Sequence, residues 1–154
     1  MLDTNAVSHL LRQHPAVSQR VVATPMASLC LSAITAGELL FGLAKRPEAV
    51  RLRRAVRELL RRVDVLPWDN NVAERYGSLR ADAENGGTTL GPLDLLIAAH
   101  AQAVGAVLVT NDQTFRRVAR LTVEDWTVRS GGAPADMEDT SVIARSEATK
   151  QSRS

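Results

Sequence analysis

Residues 106–109 read Ala-Val-Leu-Val, with no polar position among them. A strand that is apolar on both faces has to be covered on both, and sheets covered in that way are parallel sheets flanked by helices. The rest of the chain meets the same requirement. Met1–Asp3 reads as the last residues of a strand, and Leu29–Ser32, Val63–Leu66 and 122–128 as further short strands. Between them lie helical stretches: one ending before Pro15, one over 16–24, one over 35–44 despite two glycines, and one over 48–62. A longer helix over 70–84 turns Val72, Ala73, Tyr76, Leu79 and Ala83 inward and stops at Gly86-Gly87. Pro92 opens a strongly apolar helix that ends at Gly105. Short strands alternating with helices specify an α/β fold with a parallel sheet.

A chain of 154 residues is long enough for one domain with a core of its own, so neither a disulfide nor a structural metal is needed for folding. The single Cys30 excludes a disulfide framework and a multi-cysteine zinc site, and makes the reducing cytoplasm the default compartment. No apolar run approaches the roughly 20 residues of a membrane span. Five aromatic residues are too few for a single-strand binding face of stacked rings. Residues 130–154 are small, polar and charged with no sustained apolar period, so the folded domain is expected over 1–129 and a disordered tail beyond it.

The net charge of +2 is unevenly spread. Residues 45–62 hold eight basic and two acidic side chains, a local +6, and the other 136 residues sum to −4. Leu52, Ala55, Val56, Leu59, Leu60 and Val63 recur there at helical spacing with arginines between them. Two readings stand: the solvated face of an amphipathic helix, or a patch that attracts polyanion phosphates or an acidic partner.

Ligands of an open parallel sheet bind outside the carboxyl ends of its strands. Asp3 and Asp112 each follow a strand at that edge, Asp94 opens the apolar helix after Gly91-Pro92, and Glu38 lies near the start of the helix after Leu29–Ser32. Each has a bland explanation. Asp3 can cap a helix, Asp94 can complement a helix dipole, Asp112 can make an Asx turn, and Glu38 can pair with an arginine. Together they repel unless something neutralises them. Mg²⁺ takes one or two carboxylates and keeps several waters, and such a site can polarise a phosphoryl oxygen and activate water for attack on a phosphodiester.

These residues carry a resemblance. LDTNAVSHLL at 2–11, SAITAGELLFGLAKRP at 32–47, LGPLDLLIAAHAQAVGAVLVTND at 90–112, Phe115 and VEDW at 123–126 resemble a PIN domain, more narrowly the VapC-type toxins of bacterial toxin–antitoxin pairs. The resemblance implies a three-layer PIN-like fold, its mostly parallel central sheet flanked by helices, and a Mg²⁺- or Mn²⁺-dependent endoribonuclease. Carried over by position, Asp3, Glu38, Asp94 and Asp112 form the acidic site, with Asp3 and Asp94 the metal ligands and Glu38 orienting the water. Thr4, Asn5, Thr110 and Asn111 would orient carboxylates or water. RNA phosphate would be attracted by Arg51, Arg53, Arg54, Arg57, Arg61 or Arg62. A homodimer is implied, as is an antitoxin laid over this rim, through which alone DNA is met.

One departure stands out. Only Met1 and Leu2 precede Asp3, so most of the family's first strand is missing from the sequence, and little backbone is expected to pair Asp3 into the sheet. On that ground a catalytically impaired protein, acting as an antitoxin-binding module in a DNA-bound repressor complex, is the alternative. A structure-specific DNA nuclease on the same fold is a third. Ser8-His9 and His100 indicate no catalytic triad, because no orienting acid accompanies them. His100, six residues after Asp94, is expected at the edge of the core or on the surface.

Overall fold

Leu2 sits at the centre of the sheet. It bridges in parallel to Leu31 on one side and to Val109 on the other in the computed structural model, which describes residues 1–129. Leu31 belongs to β1 (Cys30–Ser32), paired in parallel with β2 (Asp64–Leu66). Val109 belongs to β3 (Leu108–Val109), paired in parallel with β4 (Val123–Glu124). The order across the sheet is therefore β2, β1, Met1–Asp3, β3, β4. The tail expected at 130–154 lies outside the described residues.

Little backbone was expected to remain for pairing Asp3, and the structure corrects this. Leu2 N–H donates to the Cys30 carbonyl at 2.9 Å, Asp3 N–H to Val109 at 3.1 Å, and Val109 N–H to Met1 at 2.8 Å. The α-amino group reaches the Val107 carbonyl at 2.7 Å. Three residues are enough because both neighbours are strands that present free donors and acceptors to them.

Side chains alternate across the sheet plane. Leu2, Leu31 and Val109 face one layer, formed by α1 (Thr4–Leu11), α2 (Pro15–Ala23), α3 (Ala33–Ala44) and α4 (Val50–Arg62), and join Val7, Val17, Leu39 and Val56 in a core cluster. Met1 and Leu108 face the other, formed by α5 (Asn70–Gly86) and α6 (Pro92–Ala103), with Leu79, Leu95, Ile97 and Phe115. The layers are helix, sheet, helix.

Local chemistry sets the boundaries. Asp3, Ser32 and Asp69 cap α1, α3 and α5 by accepting from Ala6, Ile34 and Val72 N–H. Proline opens α2 and α6. Gly87 (φ 68°) and Gly105 (φ 65°) end α5 and α6 in the left-handed region, which costs glycine nothing. The strand expected over 122–128 is confined to Val123–Glu124, because Asp125 folds into a local turn, accepting from the N–H and hydroxyl of Thr127. Short 3₁₀ turns at Met26–Ser28 and Gln113–Arg117 were not foreseen. Ala73, expected inward, is exposed, and so is Ala55 of the helically spaced apolar positions, since their helices bury narrower stripes. His100, expected at a core edge or on the surface, is fully buried between α6 and the start of α3.

Candidate active site

The carboxyl edge of the sheet collects all four acids. Asp3 leaves the central segment and caps α1. Asp112 leaves β3 and caps the 3₁₀ turn. Glu38 stands on α3 and Asp94 in the first turn of α6. Their charges are mutually felt. Burial pushes the Asp3 carboxyl up to about 6, and the charges of Asp94 and Asp112 add to the rise against hydrogen bonds from Thr110 and Ala6. Burial also raises Asp94, reinforced by Asp112 and Glu38. Among the described residues, no lysine or arginine pairs with any of the four; the ion pairs join Arg20 to Glu124, Arg61 and Arg62 to Glu58, and Arg80 to Glu84.

Asp3 Oδ1 accepts from Ala6 N–H at 2.7 Å, and Asp112 Oδ1 from Thr114 N–H at 2.9 Å. Both bland explanations therefore hold alongside the shared rim. Among the described residues Glu38 has no arginine partner; its Oε2 accepts instead from the Thr4 hydroxyl. Thr110 is buried and links two acids: its hydroxyl bonds Asp3, and its oxygen accepts from Asp112 N–H at 3.0 Å. Thr4 and Thr110 thus hydrogen-bond to rim acids, whereas Asn5 and Asn111 make no such contact among the described residues. Asn5 is exposed, and the Asn111 amide turns to the His9 ring at 3.2 Å.

The donor set suits a hard divalent cation. It is all carboxylate oxygen, and Asp94 accepts no hydrogen bond among the described residues, which leaves both its oxygens available. No group of three His, Cys, Asp or Glu side chains is disposed among the described residues to hold a metal as it stands. One or two carboxylates with several waters is, however, the usual Mg²⁺ arrangement.

Among the described residues, no α4 arginine pairs with a rim acid. Arg61 and Arg62 pair with Glu58, Arg53 reaches the Pro47 carbonyl at 3.2 Å, and Arg51, Arg54 and Arg57 extend from the same helix. A cleft between α1, α3 and α4 runs from Thr4 and Glu38 to Arg12, Lys45 and Arg46 over a floor of Leu39, Leu43, Leu52 and Val56. Lys45 and Arg46 belong to the basic stretch 45–62 and directly follow the end of α3, whereas Arg12, at the end of α1, is a cation the sequence did not single out.

The profile of the PIN domain matches residues 1–121. The tRNA(fMet)-specific endonuclease VapC of Shigella flexneri is 34% identical over 127 residues, covering 82% of this chain and 96% of its own. Among solved structures, DNA-bound VapBC from Salmonella typhimurium matches with a TM-score of 0.75 and 35% identity, over 82% of this chain and 96% of that one. VapBC2 from Rickettsia felis, bound to a DNA fragment from the promoter, matches with a TM-score of 0.74 and 30% identity, over 80% and 96%.

Proposed function

We propose that this chain, which belongs to the PIN-domain family, is the endoribonuclease toxin of a toxin–antitoxin pair and works with a divalent metal held by Asp3 and Asp94. The observation that carries the reading is the acidic rim itself: four carboxylates from four elements, coupled in charge, with no cation of the described chain to neutralise them. Mg²⁺ or Mn²⁺ would supply Lewis acidity toward the phosphoryl oxygen and a lowered pKa for water. Thr4 holds one oxygen of Glu38, which leaves Oε1 to accept a proton from the attacking water. Thr110 fixes Asp3 and Asp112 relative to one another. Arg12, Lys45 and Arg46 in the cleft, and Arg51, Arg54 and Arg57 on α4, supply positive charge for RNA phosphate.

The homologous complexes with antitoxin support an antitoxin partner, and we place it in the cleft. Exposed Phe41 lines the cleft beside its apolar floor, the pattern that receives an amphipathic helix. A homodimer, contact with DNA only through the antitoxin, and a cytoplasmic location complete the reading. No helix among the described residues is long and apolar enough to cross a membrane.

Asp94→Asn tests the reading. The variant keeps the shape of the helix turn and loses the charge. Mg²⁺-dependent cleavage of RNA is expected to fall by about 100-fold or more, the scale on which loss of one charge-stabilising group slows catalysis, and growth arrest on expression to be relieved. Cleavage at the wild-type rate by a contaminant-free preparation would overturn the assignment. Matched RNA and DNA hairpins, assayed in parallel, separate a ribonuclease from a DNA nuclease.

A further inference from the structure

His100 is the polar side chain in an otherwise apolar buried run, Ile97–Ala101 of α6. Its Nδ1 lies 2.8 Å from Oγ of Ser32, which is also fully buried. The same Oγ accepts from Ile34 N–H at 3.1 Å as the cap of α3. One hydroxyl is thus joined to both helices. Burial pushes the imidazole pKa down, so at neutral pH the bond joins two uncharged groups.

Stability does not account for the pair. A buried polar pair gains little over apolar groups of the same shape. This one is also incompletely satisfied, because among the described residues His100 Nε2 is buried without a partner. Leucine at position 100 would remove the orphan nitrogen.

Its geometry is more telling. Glu38 lies six residues after Ser32, and Asp94 six residues before His100. Six residues advance about 9 Å along a helix. The helices touch through Ser32 and His100 at one end of that stretch, and Glu38 and Asp94 feel each other's charge at the other. The acids repel, so something below them has to keep the helices together. We infer that the Ser32–His100 hydrogen bond is a clamp that sets the separation of Glu38 and Asp94, which makes His100 a positioning residue of the acidic site. The inference rests on the reading of that site as the metal centre of a nuclease.

The test is calorimetric titration of Mn²⁺ into the full chain as wild type, Asp94→Asn, His100→Leu and His100→Asn, with a thermal melt and RNA cleavage for each. His100→Leu, which leaves the buried Ser32 hydroxyl without its imidazole partner, is expected to melt somewhat lower than wild type, to bind Mn²⁺ about 10-fold more weakly, and to lose kcat with KM for RNA unchanged. His100→Asn, whose amide reaches Ser32 from the place of Nδ1, should recover most of the affinity. Wild-type affinity in His100→Leu overturns the clamp and leaves the function standing, as does an equal loss in His100→Asn. A wild type that takes up no Mn²⁺, or an Asp94→Asn that binds as wild type, overturns the functional reading and the clamp with it. If His100→Leu fails to fold, His100→Phe, which fills the imidazole's place and lacks Nδ1 while leaving the Ser32 cap intact, makes the same comparison.

Discussion

Replacing Asp3 by Asn should make the metal-free protein more stable at neutral pH. Asp3 is 4% exposed, and its carboxyl is pushed from 3.8 up to about 6, first by burial. A group whose pKa is higher folded than unfolded favours the fold when protonated. That stability is complete below 3.8 and is lost as pH rises through about 6. At about 1.36 kcal/mol for each tenfold change, the ionised carboxylate costs the native state about 3 kcal/mol at about pH 7.5. Asparagine removes the charge and keeps the rest: it caps helices as well as aspartate does, so the bond from Ala6 N–H survives, and its amide can still meet Thr110. Allowing for relaxation around the charge, a gain of about 1–3 kcal/mol corresponds to roughly 4–10 °C in Tm for a domain of this size. The assay is thermal unfolding of both proteins in EDTA from about pH 3.5 to about pH 8, a span that brackets both pKa values. The gap should be widest above neutrality and close below 3.8. A variant less stable than wild type at the alkaline end, or a gap that ignores pH, would refute the argument. Saturating Mn²⁺ should narrow the gap by stabilising the wild type.

Gly91→Ala places a Cβ 3.1 Å from Asp94 Oδ2 while the backbone there (φ −59°) accepts alanine, so Mn²⁺ affinity should fall several-fold with Tm little changed. Asp112→Ala should cost about 1 kcal/mol by uncapping the 3₁₀ turn, whereas Asp112→Asn should spare stability and lose activity; chemical denaturation beside a cleavage assay separates the two. Glutamine at Arg51, Arg54 and Arg57 should lower the salt slope of RNA binding by about one for each phosphate no longer neutralised, and the same change at Lys45 and Arg46 tests whether the cleft or α4 carries the RNA.

The layered α/β plan was legible because its signals are local. The apolar run before Thr110, proline at the start of α2 and α6, and glycine at the end of α5 each fix one element without reference to the rest. Asp3 and Asp112 were legible for the same reason, since a residue just past a parallel strand can only emerge at the carboxyl edge. What needed three dimensions was partnership. Nothing in the spacing of Ser32 and His100 says that they touch, and nothing in LDTN says that Thr4 turns to Glu38 while Asn5 faces solvent. The pairing of Asp3 was misjudged by counting residues before it rather than the strands on either side.

The bland and the functional explanations of Asp3 and Asp112 describe one geometry. Where a parallel strand ends, the chain turns into a helix or 3₁₀ turn whose first N–H groups need an acceptor, and an aspartate at that junction supplies one. The same junctions line the edge where ligands bind, so side chains that cap also gather there. Capping uses a single oxygen of each carboxylate, Oδ1 in both residues, and does not cancel the charge. An amide would cap as well. Capping therefore explains why a short polar side chain stands at these positions, while only the need for negative charge explains an acid at Asp3, where burial makes ionisation costly. That cost is what a bound cation would offset, which is why stability without metal and activity with it should move in opposite directions when the charge is removed.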